Sequence, residues 1–414
     1  MVGTDPLRAI KVTLAITAFL AAIVGPALIV QPVSAGAIAV LESTVEYSFA
    51  QHVTFTLTVT SDAEIAEVYL FFRAAGINAT EKITVGTDAV AIDRATDQIR
   101  VEHTHDLTLH PLPPFANVTY WWEIEDTAGN RLQTAPHEFS YADNRFQWLE
   151  AQAGNVSVYW IEGQGDRTYA QTALDIAQAS IDEINAELQA PLPDSLEIFI
   201  YDSDYHLEAA MVLGGRDWVA GQARPELGVV VVAVPADQDY TSRMKRYLPH
   251  EITHLIVYQL AGPQGYSSVP TWLDEGLATV YERLPTPEYR LALEEALGAD
   301  QLLSLRDLCV PFSPDPATAF LSYAQSASVV RFIRDEYGAG GLRRLLTAYA
   351  DGASCTSGVE EALGISFHRL ESTWRASLRP DSRWTLWWDR AGVWVGLWVL
   401  SILVALPMVG RVRR

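Results

Sequence analysis

The spacing of apolar residues changes once along this chain of 414 residues, and that change constrains the fold more than any other feature. Between residues 42 and 141, apolar side chains recur at every second position, most strictly where Val53, Phe55, Leu57 and Val59 alternate with threonines. A period of two places alternate side chains on opposite faces of a strand. About 100 residues of short strands separated by turns predict an all-β sandwich.

The second part of the chain, residues 146–378, has a different pattern. It opens with a hairpin, a helix and two apolar strands, and from residue 239 onward nearly every stretch has the helical period. The early segments are 147–149 with 156–161, Thr168–Leu188, Ser195–Tyr201 and Gly228–Val234. Because strands come first and helices later, the pattern predicts an α+β domain.

Both ends of the chain are apolar and lack charge over long stretches. Residues 1–35 run from basic residues through the apolar stretch Val12–Val30 to a small-residue site at Ala35, which is the order of a secretory signal peptide. Because that stretch is long for a signal, an uncleaved N-terminal anchor stays open. Ala391–Gly410 is uncharged, and at ~1.5 Å per residue it is long enough to cross a bilayer as a single transmembrane helix.

The charges around the second apolar segment indicate its orientation. Arginine precedes and follows it, and residues 411–414 form a basic tail. Because positive charge is retained in the cytoplasm, we expect a cytoplasmic tail and an extracellular location for everything before Asp389. The chain is therefore expected in the cell membrane as a single-pass protein whose folded domains face outward.

The overall charge excludes one class of partner. The chain carries 29 Lys and Arg against 51 Asp and Glu, a net charge of −22. Such an acidic protein lacks the basic surface that binds a phosphate backbone, so nucleic acid is excluded. No pattern in the sequence indicates an oligomeric state.

Two groups of residues are open to more than one interpretation. Cys309 and Cys355 are the two cysteines of the chain, and outside the membrane they either form a disulfide or stay free thiols. His103, His105 and His110 cluster in the predicted sandwich. For these histidines the pattern favours a strand edge at the surface over a metal site.

The segment His250-Glu-Ile-Thr-His254 carries the strongest chemical signal. Residues at i and i+4 share one face of a helix, so both imidazoles can bind one metal ion. Glu251 then lies beside the metal, where it can act as general base on a water molecule. Because Pro249 is unusual inside a helix, either the helix begins there or a kink precedes the site. Two solvated histidines on a surface helix are the alternative.

A catalytic zinc needs three protein ligands and one open position. No third histidine follows closely, but the segment Trp272-Leu-Asp-Glu-Gly-Leu-Ala278 reads as the next helix. Here the chain resembles the gluzincins, the thermolysin-like and aminopeptidase-like zinc peptidases, and in particular the peptidase MA-like family. The resemblance implies that His250, His254 and Glu275 bind one Zn²⁺. Asp274 is the alternative third ligand, but it points about 100° away from Glu275 on the helix.

The resemblance covers roughly residues 146–378 and implies a zincin-like α+β fold. It also implies that Tyr323, at the start of Tyr323-Ala-Gln-Ser-Ala, is the catalytic phenol that polarises the scissile carbonyl. Thr279 stands where the thermolysin-like pattern has a carboxylate that orients a zinc-bound histidine, so its hydroxyl could have that role. Simple packing of Thr279 between helices is the alternative.

The chain departs from the aminopeptidases in one respect. It has no Gly-x-Met-Glu-Asn segment, with which zinc aminopeptidases capture the free amino group of a substrate. An exopeptidase activity is therefore not carried over. Val229–Val234 is expected to take the place of the edge strand that pairs with an extended substrate, which suits an endopeptidase.

These patterns together predict a membrane-anchored extracellular zinc-dependent metallopeptidase that acts on peptides or proteins. The sandwich resembles immunoglobulin-like or fibronectin type III-like domains by pattern alone, and would be a spacer or a substrate-docking module. One alternative is a surface binding or adhesion protein with a structural or vestigial zincin fold, although an intact Glu251 disfavours it. Another is a zinc enzyme with a non-peptide substrate, such as an amide.

Overall fold

A computed structural model describes residues 38–86, 90–93, 97–191, 193–211, 221–284 and 286–379. Within these ranges, no helix is both long enough and apolar enough to cross a membrane. The predicted signal segment, residues 1–35, and the predicted transmembrane segment and tail, residues 391–414, lie outside the described residues.

The N-terminal domain packs two antiparallel sheets face to face. One sheet has the order β1-β2-β6-β5, and the other has the order β4-β3-β7-β8, with β9 also pairing with β7. Val53, Phe55, Leu57 and Val59 are all buried between them, as the period of two predicts. The described strands of this domain are β1 (Ala39–Ser48), β2 (His52–Thr60), β3 (Ile65–Ala74), β4 (Glu81–Val85), β5 (Val90–Asp93), β6 (Gln98–Asp106), β7 (Asn117–Asp126), β8 (Arg131–Gln133) and β9 (His137–Ser140).

The histidine cluster lies only partly at the surface. His103 and His105 lie in β6 and pair with β2, whereas β5 pairs with β6 only at residues 98–101. His105 is buried, its ring packs edge-on against Phe72, and its Nε2 is 3.0 Å from the carbonyl oxygen of His110. In the described part of the chain, no group of three metal-ligating side chains forms here. The surface prediction was wrong for His105, because this residue falls on the inward face of β6, whereas His110 is exposed.

The second domain has a mixed sheet with the order β10-β11-β12-β14-β13, in which β11, β12 and β14 run parallel. Its strands are β10 (Trp148–Ala153), β11 (Val156–Ile161), β12 (Leu196–Tyr201), β13 (Gly221–Arg224) and β14 (Val229–Ala233). Its described helices are α1 (Arg167–Leu188), α2 (Asp204–Met211), α3 (Tyr240–Gly265), α4 (Thr271–Tyr281), α5 (Pro287–Gly298), α6 (Pro316–Ala350), α7 (Ser357–Leu363) and α8 (Phe367–Ser377).

The strand at the edge of this sheet was not predicted from the sequence. Val229–Ala233 forms β14, which lies inside the sheet between β12 and β13. Every residue of β14 is buried, which is typical of a strand covered on both faces. The prediction that Val229–Val234 is the edge strand was therefore wrong, and Gly221–Arg224 occupies the edge.

The two faces of this sheet are covered by different domains. The side chains of Ile198 and Val230 pack among the helices, whereas those of Phe199 and Val231 pack into the core of the sandwich domain. The rings of Phe115 and Phe199 stack with centroids 4.0 Å apart across this boundary. The sandwich therefore covers one face of the second sheet.

A buried ion pair lies in the connection between the domains. The Asp143 carboxylate is fully buried, and it accepts hydrogen bonds of 2.8 Å and 2.6 Å from Nε and Nη2 of Arg145. The Tyr201 hydroxyl in β12 donates to the same carboxylate at 2.8 Å. These bonds satisfy the buried charge and join the connection to the second sheet.

A disulfide joins Cys309 and Cys355, so of the two states left open by the sequence the structure has the bridge. It connects the segment between α5 and α6 to the segment that precedes α7. In the chain-entropy model, closing a loop of this length stabilises the folded state by about 4 kcal/mol.

Phe199 tests whether the two domains share one core. We expect Phe199→Ala to lower the free energy of unfolding of the full chain by about 3–5 kcal/mol, because it leaves a cavity between the domains. Denaturant titration monitored by tryptophan fluorescence measures this. Tyr205→Ala, at a side chain that is 74% exposed, is the control and should change stability by less than about 0.5 kcal/mol. A loss below about 1 kcal/mol for Phe199→Ala would contradict the shared core.

Candidate active site

Helix α3 carries the His-Glu-x-x-His segment, and Pro249 lies inside it. The helix begins at Tyr240, and its non-helical dihedral angles occur at Gly262. Both predicted alternatives, a helix start at Pro249 and a kink before the site, were therefore wrong, since the break in α3 follows the site. Because proline has no N–H, the carbonyl of Lys245 loses its helical partner, and the backbone N–H of Arg283 donates to it instead at 2.9 Å. This bond connects α3 to the residues that follow α4.

Helix α4 brings Glu275 beside both imidazoles. Oε2 of Glu275 lies 3.4 Å from Nε2 of His250 and 3.6 Å from Nε2 of His254. The close approach of α4 to α6 depends on Gly276, where a Cβ atom would stand 2.7 Å from the carbonyl oxygen of Ser326. Thus the residue after Glu275 is small because the helices touch there.

The three side chains fit a zinc ion. Their candidate ligand atoms all lie within 4.8 Å of one another. Ligand atoms at 2.0–2.1 Å from a tetrahedral zinc are about 3.3 Å apart, which is close to the observed separations from Glu275. Two imidazoles and one carboxylate are also the donor set of catalytic zinc sites, which leave one position open.

Two further carboxylates orient the imidazoles. Nδ1 of His254 lies 3.1 Å from Oδ2 of Asp274, and Nδ1 of His250 lies 3.2 Å from Oε1 of Glu282. Glu282 accepts a hydrogen bond from Nδ1–H of His250, and Asp274 lies beside Nδ1 of His254, so the Nε2 atoms of both rings face Glu275. Asp274, which was predicted as the alternative metal ligand, thus lies beside Nδ1 of His254, on the side of the imidazole away from Glu275.

Thr279 does not orient a histidine. It is buried, and its hydroxyl has no hydrogen-bond partner among the residues that the structure describes. Glu282 lies almost one turn further along the chain and takes the role that the sequence analysis considered for Thr279. Glu282 is seven positions after Glu275, and this spacing of two helical turns is the signal that could have identified it.

The charges around the imidazoles favour a cation. Burial lowers the pKa of His254, but Asp274 and Glu275 outweigh it and raise the pKa to about 9. Burial also lowers the pKa of His250, while hydrogen bonds to Glu275 and Glu282 raise it well above its ordinary value. The site therefore stabilises positive charge between the two rings and Glu275, where a divalent cation fits.

Glu251 points toward the edge strand β13. Its side chain is buried, and burial raises the pKa of its carboxyl group, although a hydrogen bond from the backbone N–H of Ala223 opposes this. A Cβ atom at Gly221 would stand 2.9 Å from Oε1 of Glu251. The strand thus passes close to the carboxylate only because residue 221 is glycine.

Tyr323 lies on the site side of α6. Its ring centroid is 6.3 Å from that of His250, and the ring of Phe312 packs edge-on against it at 5.1 Å. The structure therefore brings Tyr323 next to the imidazole that precedes Glu251 in sequence. Phe312 belongs to the segment tied by the Cys309–Cys355 disulfide.

A partly buried His-His-Glu donor group on adjacent helices, with a glutamate against the edge strand, defines a metallopeptidase-like domain. Residues 176–380 match the model of the Peptidase MA superfamily, so this part of the chain is similar to that superfamily.

Comparison with other proteins gives weaker likenesses. No curated protein matches the chain. Among solved structures, an aminopeptidase N family protein from Idiomarina loihiensis is 10% identical, with 79% of this chain and 72% of that chain covered and a TM-score of 0.37. A β-1,3-glucan binding domain of carbohydrate-binding module family 56 is 12% identical, with 24% and 95% covered and a TM-score of 0.16.

Glu282 provides a test of the orienting carboxylates. We expect Glu282→Ala to weaken zinc binding by about 10–100-fold, because His250 loses the acceptor that fixes its tautomer. Glu282→Gln keeps an acceptor oxygen and should weaken binding less. Competition with a chromophoric chelator measures the affinity, and Glu288→Gln on exposed α5 surface is the control. Equal affinities for wild type and Glu282→Ala would show that the contact does not orient His250.

Proposed function

We propose that this chain is a zinc-dependent peptidase of the gluzincin type that hydrolyses peptide bonds. The observation that carries the proposal is the convergence of His250, His254 and Glu275 on one point, with Glu251 alongside. Similarity to the Peptidase MA superfamily supports the same chemistry. A zinc ion held by these three residues would supply Lewis acidity for the attack of water on the carbonyl carbon.

The other side chains of the site have separate roles in this proposal. Glu251 takes a proton from the attacking water and passes it to the amine that leaves. Tyr323 donates a hydrogen bond to the carbonyl oxygen as negative charge develops on it. Burial of Glu251 against β13 keeps its carboxylate in one position, which reduces the reorganisation needed for proton transfer.

The edge strand β13 suits binding of an extended peptide. It is antiparallel to β14 and lies at the border of the described sheet. A substrate that adds as a further strand would lie next to Glu251, because β13 passes close to this residue. Binding along a strand needs no free terminus, so we propose endopeptidase action on peptides or proteins.

We also propose that the enzyme is exported and anchored in the cell membrane. The support is the signal-like segment 1–35, the apolar segment Ala391–Gly410 and the basic tail after it. The Cys309–Cys355 disulfide is typical of proteins outside the reducing cytoplasm. In this topology the catalytic domain is extracellular and the C-terminus is cytoplasmic.

Glu251→Gln separates catalysis from metal binding. In the purified full chain in detergent, we expect about one zinc per molecule for both wild type and Glu251→Gln, with cleavage of a peptide library by wild type only, because Gln cannot take a proton. Elemental analysis and mass spectrometry of the digest measure both. Glu275→Gln is the companion variant and should lose zinc.

The outcomes of this experiment separate the candidate functions. Zinc in both proteins without cleavage in either would favour a binding protein with a vestigial site, or a non-peptide substrate. No zinc in wild type, or cleavage that survives in Glu251→Gln, would refute the proposed mechanism.

Tyr323→Phe tests whether the phenol of Tyr323 donates a hydrogen bond to the carbonyl oxygen during the reaction. We expect kcat to fall by about 10²–10³-fold with unchanged zinc content, since one donor to the developing oxyanion is lost while the ring remains. Steady-state kinetics on a peptide cleaved by wild type measure the loss. Tyr337→Phe, further along the same helix, is the control with a matched substitution. Full turnover in Tyr323→Phe would contradict the assigned role.

A further inference from the structure

A tyrosine outside the His-Glu-x-x-His and Glu-Gly segments reaches the metal site through Asp274. The Tyr266 hydroxyl donates to Oδ2 of Asp274 at 2.8 Å. The same oxygen lies 3.1 Å from Nδ1 of His254. One carboxylate oxygen thus accepts from a phenol and lies within 3.1 Å of an imidazole nitrogen, so the three side chains are in consecutive contact.

The backbone around Tyr266 fixes the position of this side chain. Gly262 has a φ of 73°, which breaks α3 and turns the chain back, and the N–H of Tyr266 donates to the carbonyl of Gly262. At Gly265, a Cβ atom would stand 2.5 Å from the carbonyl oxygen of Ala350. The segment between α3 and α4 is therefore pressed against the end of α6, and the tyrosine has little freedom to move.

Asp274 needs such a partner. A carboxylate can rotate about its terminal torsion, which has broad energy wells, unless its oxygens are held by partners. A hydrogen bond from a neutral phenol holds one oxygen in place, and that oxygen in turn holds the Nδ1–H of His254. A carboxylate free to rotate would orient the imidazole less well and lower its affinity for a metal.

We propose that Tyr266 is a positioning residue of the metal centre, which acts on His254 through Asp274. This inference rests on the proposed zinc site. It concerns the affinity of the site for zinc, so it can be tested without a substrate.

The experiment measures the zinc dissociation constant of the full chain in detergent by competition with a chromophoric chelator. We expect Tyr266→Phe, which removes one oxygen atom, to weaken zinc binding about tenfold. Asp274→Ala should weaken it by about 10–100-fold. The double variant should be no weaker than Asp274→Ala alone, because the tyrosine acts only through the carboxylate.

Tyr258→Phe is the matched control. Its ring packs against Tyr266 with centroids 5.4 Å apart, and in the described residues its hydroxyl makes no hydrogen bond to Asp274. We expect wild-type zinc affinity for this variant. The thermal unfolding of each metal-free protein is measured in parallel, and Tyr266→Phe should unfold within a few degrees of wild type.

The outcomes distinguish this inference from the proposed function. Absence of zinc binding in wild type would overturn both. Zinc binding in wild type with an unchanged affinity in Tyr266→Phe would overturn only the role of Tyr266. Losses that add in the double variant, or a large drop in the unfolding temperature of metal-free Tyr266→Phe, would show a merely structural role and would also overturn it.

Discussion

The candidate metal site depends on the carboxylates beside the outer nitrogens of His250 and His254. Nδ1 of His250 donates to Glu282, and Nδ1 of His254 lies 3.1 Å from Oδ2 of Asp274, so both Nε2 atoms face Glu275. Without these contacts an imidazole could present either nitrogen or rotate about its terminal torsion. The orienting carboxylates come from α4 and the residue that follows it, so the relative position of α3 and α4 sets the geometry of the site.

A proline contributes to that relative position. Pro249 removes one hydrogen bond from α3, and the freed carbonyl of Lys245 accepts from Arg283. Arg283 is next to Glu282 in the chain, so the same bond that satisfies the carbonyl also holds Glu282 close to His250. A residue that is unfavourable for the helix by itself thus provides an attachment point for the end of α4.

The periodicity of the sequence predicted those features that depend only on the geometry of a single helix or strand. The i, i+4 spacing of His250 and His254 follows from the helix alone, and the burial of Val53–Val59 follows from the strand period. The edge strand Gly221–Arg224 escaped prediction because it is short and has no alternating pattern, and its place depends on pairing with a distant strand. Tyr266 escaped because its contact with Asp274 arises from the turn at Gly262.

The apolar run Val229–Ala233 also indicates how the domains depend on each other. A strand that is buried on both faces must have a packing layer on each side of its sheet, and the helices form one of these layers. The sandwich forms the other layer, and it packs against the opposite face of the sheet. At the turn between β13 and β14, a Cβ atom on Gly76 of the sandwich would stand 2.8 Å from Cγ of Glu226. One end of β13 adjoins this turn, and Gly221 at its other end lies beside Glu251. The sandwich therefore supports the strand on which the proposed substrate would bind.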